Sequence, residues 1–323
     1  MPDERPVVTV IGEALIDLVA DGTSGTYQAR PGGSPYNVAI GLARLGVRTS
    51  LMARLADNAF GRQLRAHAEA EDLDLSASPH AVEPTTLAVV SLDESAQATY
   101  DFYLDGTADW QWTAAETSRL RPDTAVLHLG SIASWTPPGS DRIHDLVAGI
   151  HASGWALISY DPNVRPLLLG DPARGRELVE RTVAVTHIVK ASREDVEWLY
   201  PGTGLEHVAA RWLELGPLLV IITDGADGAH AFRPGTPVRH RTGRAVAVID
   251  TVGAGDSFTA GLLAALVAAG EHTPDRVARL TGATLDTVVD DAILASSLTC
   301  TRQGADPPTA AVREAARLAT LSG

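Results

Sequence analysis

Short, mostly apolar runs that alternate with helix-period segments constrain this chain most. Val7–Ile11, Thr49–Ala53, Ala125–Leu129, Ala156–Tyr160, His187–Val189 and Leu218–Thr223 each read as a buried strand. Helical patterns lie between them near Pro35–Leu45, Phe60–Glu69, Ser140–His151, Asp171–Val183 and Glu206–Leu215. A strand that is apolar on both faces needs cover on both faces, and intervening helices supply it. The pattern therefore predicts an α/β fold with a buried, mainly parallel sheet.

Two stretches break the alternation. Leu15–Arg30 and Thr85–Tyr103 are rich in Thr, Tyr and Val and lack a helical period, and LAVVSLD followed by ATYDFYL reads as a hairpin turning around Glu94–Gln97. Such strands do not fit between helix-covered parallel strands, which predicts a small β lid from segments about 15–30 and 85–110; edge strands of the core are the alternative. Beyond Gly225, Ala229–Phe232, Val238–Arg241 and Ala245–Ile249 read as short antiparallel strands. A helix from about Gly255 to Ala269 and a long one from about Pro274 to Leu298 follow. No repeat or linker divides the chain, so residues 1–323 are expected to form one domain.

With 323 residues, 45% of them hydrophobic, the chain can bury a large core. Acidic residues outnumber basic ones 40 to 26, and the resulting formal charge of −14 repels a polyanion, which argues against nucleic acid as a partner. Cys300 is the sole cysteine, so there is no internal disulfide and no zinc-type spacing. The first apolar run is interrupted by Glu13 and Asp17, as in a buried strand and unlike a signal peptide. No apolar run approaches the roughly 20 residues of a membrane helix. A soluble, cytoplasmic protein is expected.

The most informative segment is VIDTVGAGDSFTAGLLAAL, from Val248 onward. A strand ending at Asp250 runs into a Gly-rich turn and then an apolar helix. The amides of Gly253, Ala254 and Gly255 would point outward at the helix N-terminus, forming a hole for phosphoryl oxygens. Asp256 stands beside it, as phosphoryl transfer to an alcohol requires: a base for the hydroxyl proton next to dipoles for the phosphate. Taken alone, the segment is also compatible with a capping Asp and structural glycines. The Walker A pattern is absent, as is a GxGxxG fingerprint after the first strand.

Asp250–Phe258, D-T-V-G-A-G-D-S-F, resembles the C-terminal signature of the ribokinase-like (PfkB) carbohydrate kinases. The resemblance implies a three-layer α/β/α core with a β lid, ATP and Mg2+ as co-substrate and metal, Asp256 as catalytic base and Gly253, Ala254 and Gly255 as anion hole. P-G-G-S-P-Y-N at Pro31–Asn37 is by itself an ordinary turn with Ser34 as helix cap and Pro35 at the first helical position. It is similar to the family's N-terminal signature, which implies sugar contacts at Gly32, Gly33 and Asn37. G-E-A-L-I-D at Gly12–Asp17 resembles the family's first strand and implies that Asp17 binds sugar hydroxyls.

Tyr100–Tyr103, followed by GTADW, places aromatics on the predicted lid; strand period puts Tyr100 and Phe102 on one face, to close over a sugar or to pack in a homodimer. DPNVRP at Asp161–Pro166 leaves a strand at the sheet's ligand-binding edge. Family members share this motif, which implies Asn163 and Arg165, with Asp161, near the transferring phosphate. The resemblance also implies nucleotide and metal contacts at Lys190, Ser192 and Asp195, although Ser192 and Asp195 match the family's N-x-x-E motif loosely. Lys190 is the sole lysine in the chain. Thr223, Gly225 and Gly228 resemble the nucleotide loop, and Thr301–Pro308 the adenine-side segment, with Asp250 beside a monovalent cation such as K+. The combined motifs are most similar to the fructose-phosphorylating branch of the family, which implies D-fructose as acceptor; 2-keto-3-deoxygluconate or another sugar, and a silent sugar-binding protein, are the alternatives.

Overall fold

The computed structural model describes residues 5–21, 25–92 and 98–321. Eight strands form the main sheet, in the order Arg239–Arg241, Ala229–Phe232, Leu219–Thr223, Ile188–Ser192, Leu157–Asp161, Thr124–Gly130, Val7–Ile11, Arg48–Met52. The last six pair in parallel, and Ala229–Phe232 and Arg239–Arg241 add antiparallel. Leu219 and Ile221 join one apolar cluster, and Val220 and Ile222 join another on the opposite face. That alternation is why the apolar run lacks a polar face: both sides are covered by helices. Ser34–Arg44, Ala254–Ala268 and Gly282–Cys300 lie on one side; Gly139–Ser153, Pro172–Val183 and Leu205–Leu215 lie on the other.

The parallel strands all end at one edge, which carries Gly130, Asp161, Ser192 and Thr223. Above that edge sits the lid, a separate sheet ordered Tyr27–Gly32, Leu15–Ala20, Leu87–Leu92, Ala98–Tyr103. The lid expectation therefore holds against the edge-strand alternative. The turn expected at Glu94–Gln97 lies outside the described residues.

Three expectations are corrected. Ala245–Ile249 is not a strand: the segment runs without strand partners, and Val248 and Ile249 are exposed, so its β-branched residues found no ladder to join. The long helix from Pro274 is two helices, Pro274–Ala278 and Gly282–Cys300, because Thr281 caps a new start by accepting from the Thr284 amide at 3.1 Å. Ser34 is not a cap: Gly33, at φ 102°, holds that place and Ser34 is already helical, with its hydroxyl turned to another task. A further helix, Ala310–Leu321, had no counterpart in the sequence reading.

Close backbone approach fixes the helices that carry the site. A Cβ on Gly41 would lie 2.7 Å from the Ala260 Cβ. The Ser34 helix and the Asp256 helix can therefore touch only because Gly41 has no side chain.

Candidate active site

Asp256 sits in the first turn of the helix Ala254–Ala268 and is buried. The Ser34 hydroxyl donates to its Oδ1 at 2.6 Å, and the Asn37 amide donates to Oδ2 at 2.9 Å. Burial pushes its carboxyl above the usual aspartate range, against the pull of the Ser34 and Asn37 bonds; Asp161 adds to the rise and Lys190 opposes it. A raised pKa makes a better proton acceptor near neutrality. Asn37, expected on the sugar, thus holds the carboxylate that faces it, although it also lines the same cavity.

The turn before the helix is partly as expected. Gly253 has φ 75°, and a Cβ there would sit 2.6 Å from the Ala305 Cβ. Among the described residues no main-chain acceptor meets the Gly253 or Gly255 amide. The Ala254 amide is different: it donates to the Thr251 carbonyl at 3.2 Å, closing the turn. The expected trio of free amides is corrected to a pair.

On one side of this helix start lies a cavity of about 200 Å3 under the lid. Asp17, Asn37, Phe102, Arg165, Gly253 and Asp256 line it. Asp17 pairs in register with Ala88, and Ala88 with Phe102, so one row across the lid faces the cavity. Burial lifts the Asp17 carboxyl to about 6, with Arg165 pulling down and Asp256 pushing up. Gly33 lines the cavity, whereas Gly32 backs the Asp17 carboxylate: a Cβ there would meet Asp17 Oδ2 at 2.2 Å. Tyr100 has its place in the Ala98–Tyr103 strand, and its side chain lies outside the described residues. Glu13 was missed. It is buried, accepts from the Ala133 amide at 3.1 Å and lines the same cavity. Its signal was a carboxylate next to the end of the first apolar strand, a position no core residue needs.

On the other side lies a cavity of about 620 Å3. Asn163, Lys190, Thr223, Gly225, Gly228 and Gly255 line it. Asn163 (φ 40°) and Arg165 span the two cavities: Arg165 Nη1 donates to Asn163 Oδ1 at 2.7 Å, with Arg165 on the lid side and Asn163 on this one. Lys190 Nζ donates to Asp161 Oδ2 at 2.8 Å, both side chains buried. Burial works against the Lys190 charge, yet the Asp161 carboxylate outweighs it, with Asp195 and Asp256 adding, and the ammonium titrates above its usual value. Nζ lies 3.1 Å from where a Gly255 Cβ would stand, so the positive charge sits against the helix start.

Ser192 and Asp195 line this cavity but form a capping box with each other. Asp195 Oδ1 accepts from the Val164 amide and Oδ2 from the Ser192 amide, each at 2.8 Å. They thereby brace the DPNVRP turn against the next helix. Glu194, Arg244, Ser296 and Cys300 also line the cavity and had no motif to mark them. Asp250 joins two segments: Oδ1 accepts from Val252 and Oδ2 from Gly304, at 3.0 and 2.7 Å.

The model of the pfkB family of carbohydrate kinases matches residues 6–311. The chain belongs to that family. It is 38% identical over 263 residues to a fructokinase of Rhizobium leguminosarum bv. trifolii, spanning 80% of this chain and 79% of that one. A fructokinase of Klebsiella pneumoniae is 34% identical over 280 residues, 84% of this chain and 88% of the relative. The crystal structure of a fructokinase double mutant from Vibrio cholerae O395, with fructose, ADP and potassium ion bound, superposes at a TM-score of 0.82. That match has 29% identity and covers 99% of each chain. The ribokinase-like fold expected from the motifs is thus the fold found. Among the described residues no helix is long and apolar enough to cross a membrane.

Proposed function

We propose that this protein transfers the γ-phosphoryl group of ATP to the C6 hydroxyl of D-fructose, giving fructose 6-phosphate and ADP. The observation that carries the reading is the helix start at Gly253–Asp256, which is shared by the small lid-side cavity and the large one. A sugar in the first and a triphosphate in the second meet at Asp256 and the free amides. Identity to fructokinases along most of the chain favours fructose. The charge of the small cavity agrees: Glu13, Asp17 and Asp256 stand against one cation, Arg165. Such a pocket suits a neutral polyol and repels a sugar acid such as 2-keto-3-deoxygluconate.

Asp256 accepts the C6 hydroxyl proton as the oxygen bonds to the γ-phosphorus and the bond to the β-phosphate oxygen breaks. The Gly253 and Gly255 amides, Lys190 and Arg165 offset the charge on the transferring group. Asp17 orients the sugar hydroxyls, and the lid excludes water. The large cavity fits a nucleotide in volume and in its glycine lining. Among the described residues no cluster of three metal-ligating side chains exists. Mg2+ carried on a triphosphate needs one or two carboxylates; Glu194 lines the cavity to supply one, while both oxygens of the neighbouring Asp195 are held by main-chain amides. When bound, the ion would neutralise phosphate charge. Asp250 and the carbonyls around it would hold a K+ ion at the junction of its two segments. The reading extends to one kinase domain working in the cytoplasm, and to a homodimer through the lid, where Tyr27 and Tyr103 are exposed.

The test is a sugar panel with Mg-ATP and coupled detection of ADP, run with and without K+, on the wild type and on Asp256→Asn. Fructose should be the fastest acceptor. Asp256→Asn should lower kcat by about 10²- to 10⁴-fold with little change in sugar affinity. A variant near wild-type turnover would remove Asp256 from its role.

A further inference from the structure

We propose that Asp109 is a positioning residue for the acceptor: it ties the base of the lid to the core and so sets Asp17 and Phe102 over the small cavity. The inference rests on the sugar-kinase reading above but not on which sugar is used. Asp109 lies on the short turn Ala108–Trp110, is buried, and lines neither the lid-side nor the nucleotide-side cavity. It acts through the chain around it.

The lid joins the core at four places: before Leu15, after Gly32, before Leu87 and after Tyr103. All but the Gly32 connection meet around this carboxyl. The Ala14 amide donates to Asp109 Oδ1 at 2.9 Å, at the step from the first core strand into the lid. Thr86, the residue before the second entry, favours the ionised form of the same carboxyl and has its hydroxyl 2.7 Å from that of Thr107. The Ile16 amide donates to the Thr86 carbonyl at 3.1 Å, and the Ala108 amide to the Pro84 carbonyl at 2.9 Å. Beneath the turn, Trp110 is buried in the core and Arg54 Nη1 donates to the Ala108 carbonyl at 2.7 Å. Asp109 is therefore fixed from below while it holds the two lid strands that carry Asp17 and Ala88, which pair in register over the cavity.

Asp109 Oδ2 is the second observation. It is buried and has no hydrogen-bond partner among the described residues. A buried oxygen left without a partner calls for an explanation. Here it is a spare acceptor beside the Thr86–Thr107 hydroxyl pair, available when the lid base shifts. Burial lifts the carboxyl to about 7 against the pull of the Thr86 hydroxyl and the Ala14 bond, and Glu13 pushes the same way.

The experiment uses the full-length protein and whichever panel sugar the wild type phosphorylates fastest, so a wrong choice of fructose does not touch it. Apparent KM for sugar, KM for ATP, kcat and sugar-free ATP hydrolysis are compared for wild type, Asp109→Ala, Asp109→Asn and Thr86→Val. Asp109→Ala should raise the sugar KM by about tenfold or more while the ATP KM stays within about twofold, and sugar-free hydrolysis should rise relative to kcat. Asp109→Asn keeps an oxygen for the Ala14 amide and should return the sugar KM to within about threefold of wild type. Thr86→Val should shift the sugar KM in the same direction as Asp109→Ala. The proposal is overturned if both KM values move together, or if the sugar KM does not move. It is likewise overturned if Asn fails to rescue a defect seen with Ala. Should Asp109→Ala not fold, a wild-type sugar KM in Thr86→Val overturns it.

Discussion

Replacing Lys190 by Met tests whether the nucleotide-side charge is built on a desolvated ion pair. The Lys190 and Asp161 side chains are 5% and 2% exposed, and their atoms lie 2.8 Å apart. Removing one partner of such a pair strands the other, at a cost of about 3–5 kcal/mol. The Asn163 amide at 3.0 Å and the Thr259 hydroxyl at 3.5 Å still serve Asp161 and hold the loss toward the lower figure. Lys190→Met should therefore destabilise by ~3 kcal/mol at pH 7.

Urea unfolding followed by circular dichroism at pH 7 gives the difference directly, and Asp161→Asn combined with Lys190→Met should recover at least about half of it. A loss below about 1 kcal/mol would refute the reasoning.

Gly253→Ala meets two penalties: a non-glycine residue at φ 75° and a contact of 2.6 Å with Ala305. Together they should cost ~2–5 kcal/mol in a thermal or urea melt, and the displaced amide should lower kcat by about 10²-fold; turnover within twofold of wild type would contradict the assignment. Asp17, with its carboxyl lifted to about 6, accepts from sugar hydroxyls only when ionised. The apparent KM for sugar should thus rise about tenfold per pH unit below 6 and level off above it, and Asp17→Asn should abolish that dependence.

The sheet was legible because its strands are apolar on both faces and short. The Asp256 turn was legible because a backbone that must approach phosphate cannot carry side chains. Ala245–Ile249 shows the limit: its β-branched residues have strand propensity, yet propensity is realised only when a neighbour offers a ladder, and none does. Glu13 was hidden, and Asp109, although inside the GTADW stretch, carried no assigned role there. Each is an ordinary carboxylate in the sequence, and its meaning lies in burial against chain distant from it in sequence.

The sequence by itself determined the family, the layered α/β architecture and the residues at the phosphoryl-transfer turn, since these follow from local pattern and glycine spacing. Tertiary structure alone decided that Ser34 and Asn37 hold Asp256, that the Ala254 amide is already engaged, and that three of the four lid connections meet around one carboxyl. Those facts depend on contacts between segments far apart in the chain, such as the bond from Ser34 to Asp256. Nothing in the local order of residues records which partner a buried polar group will find.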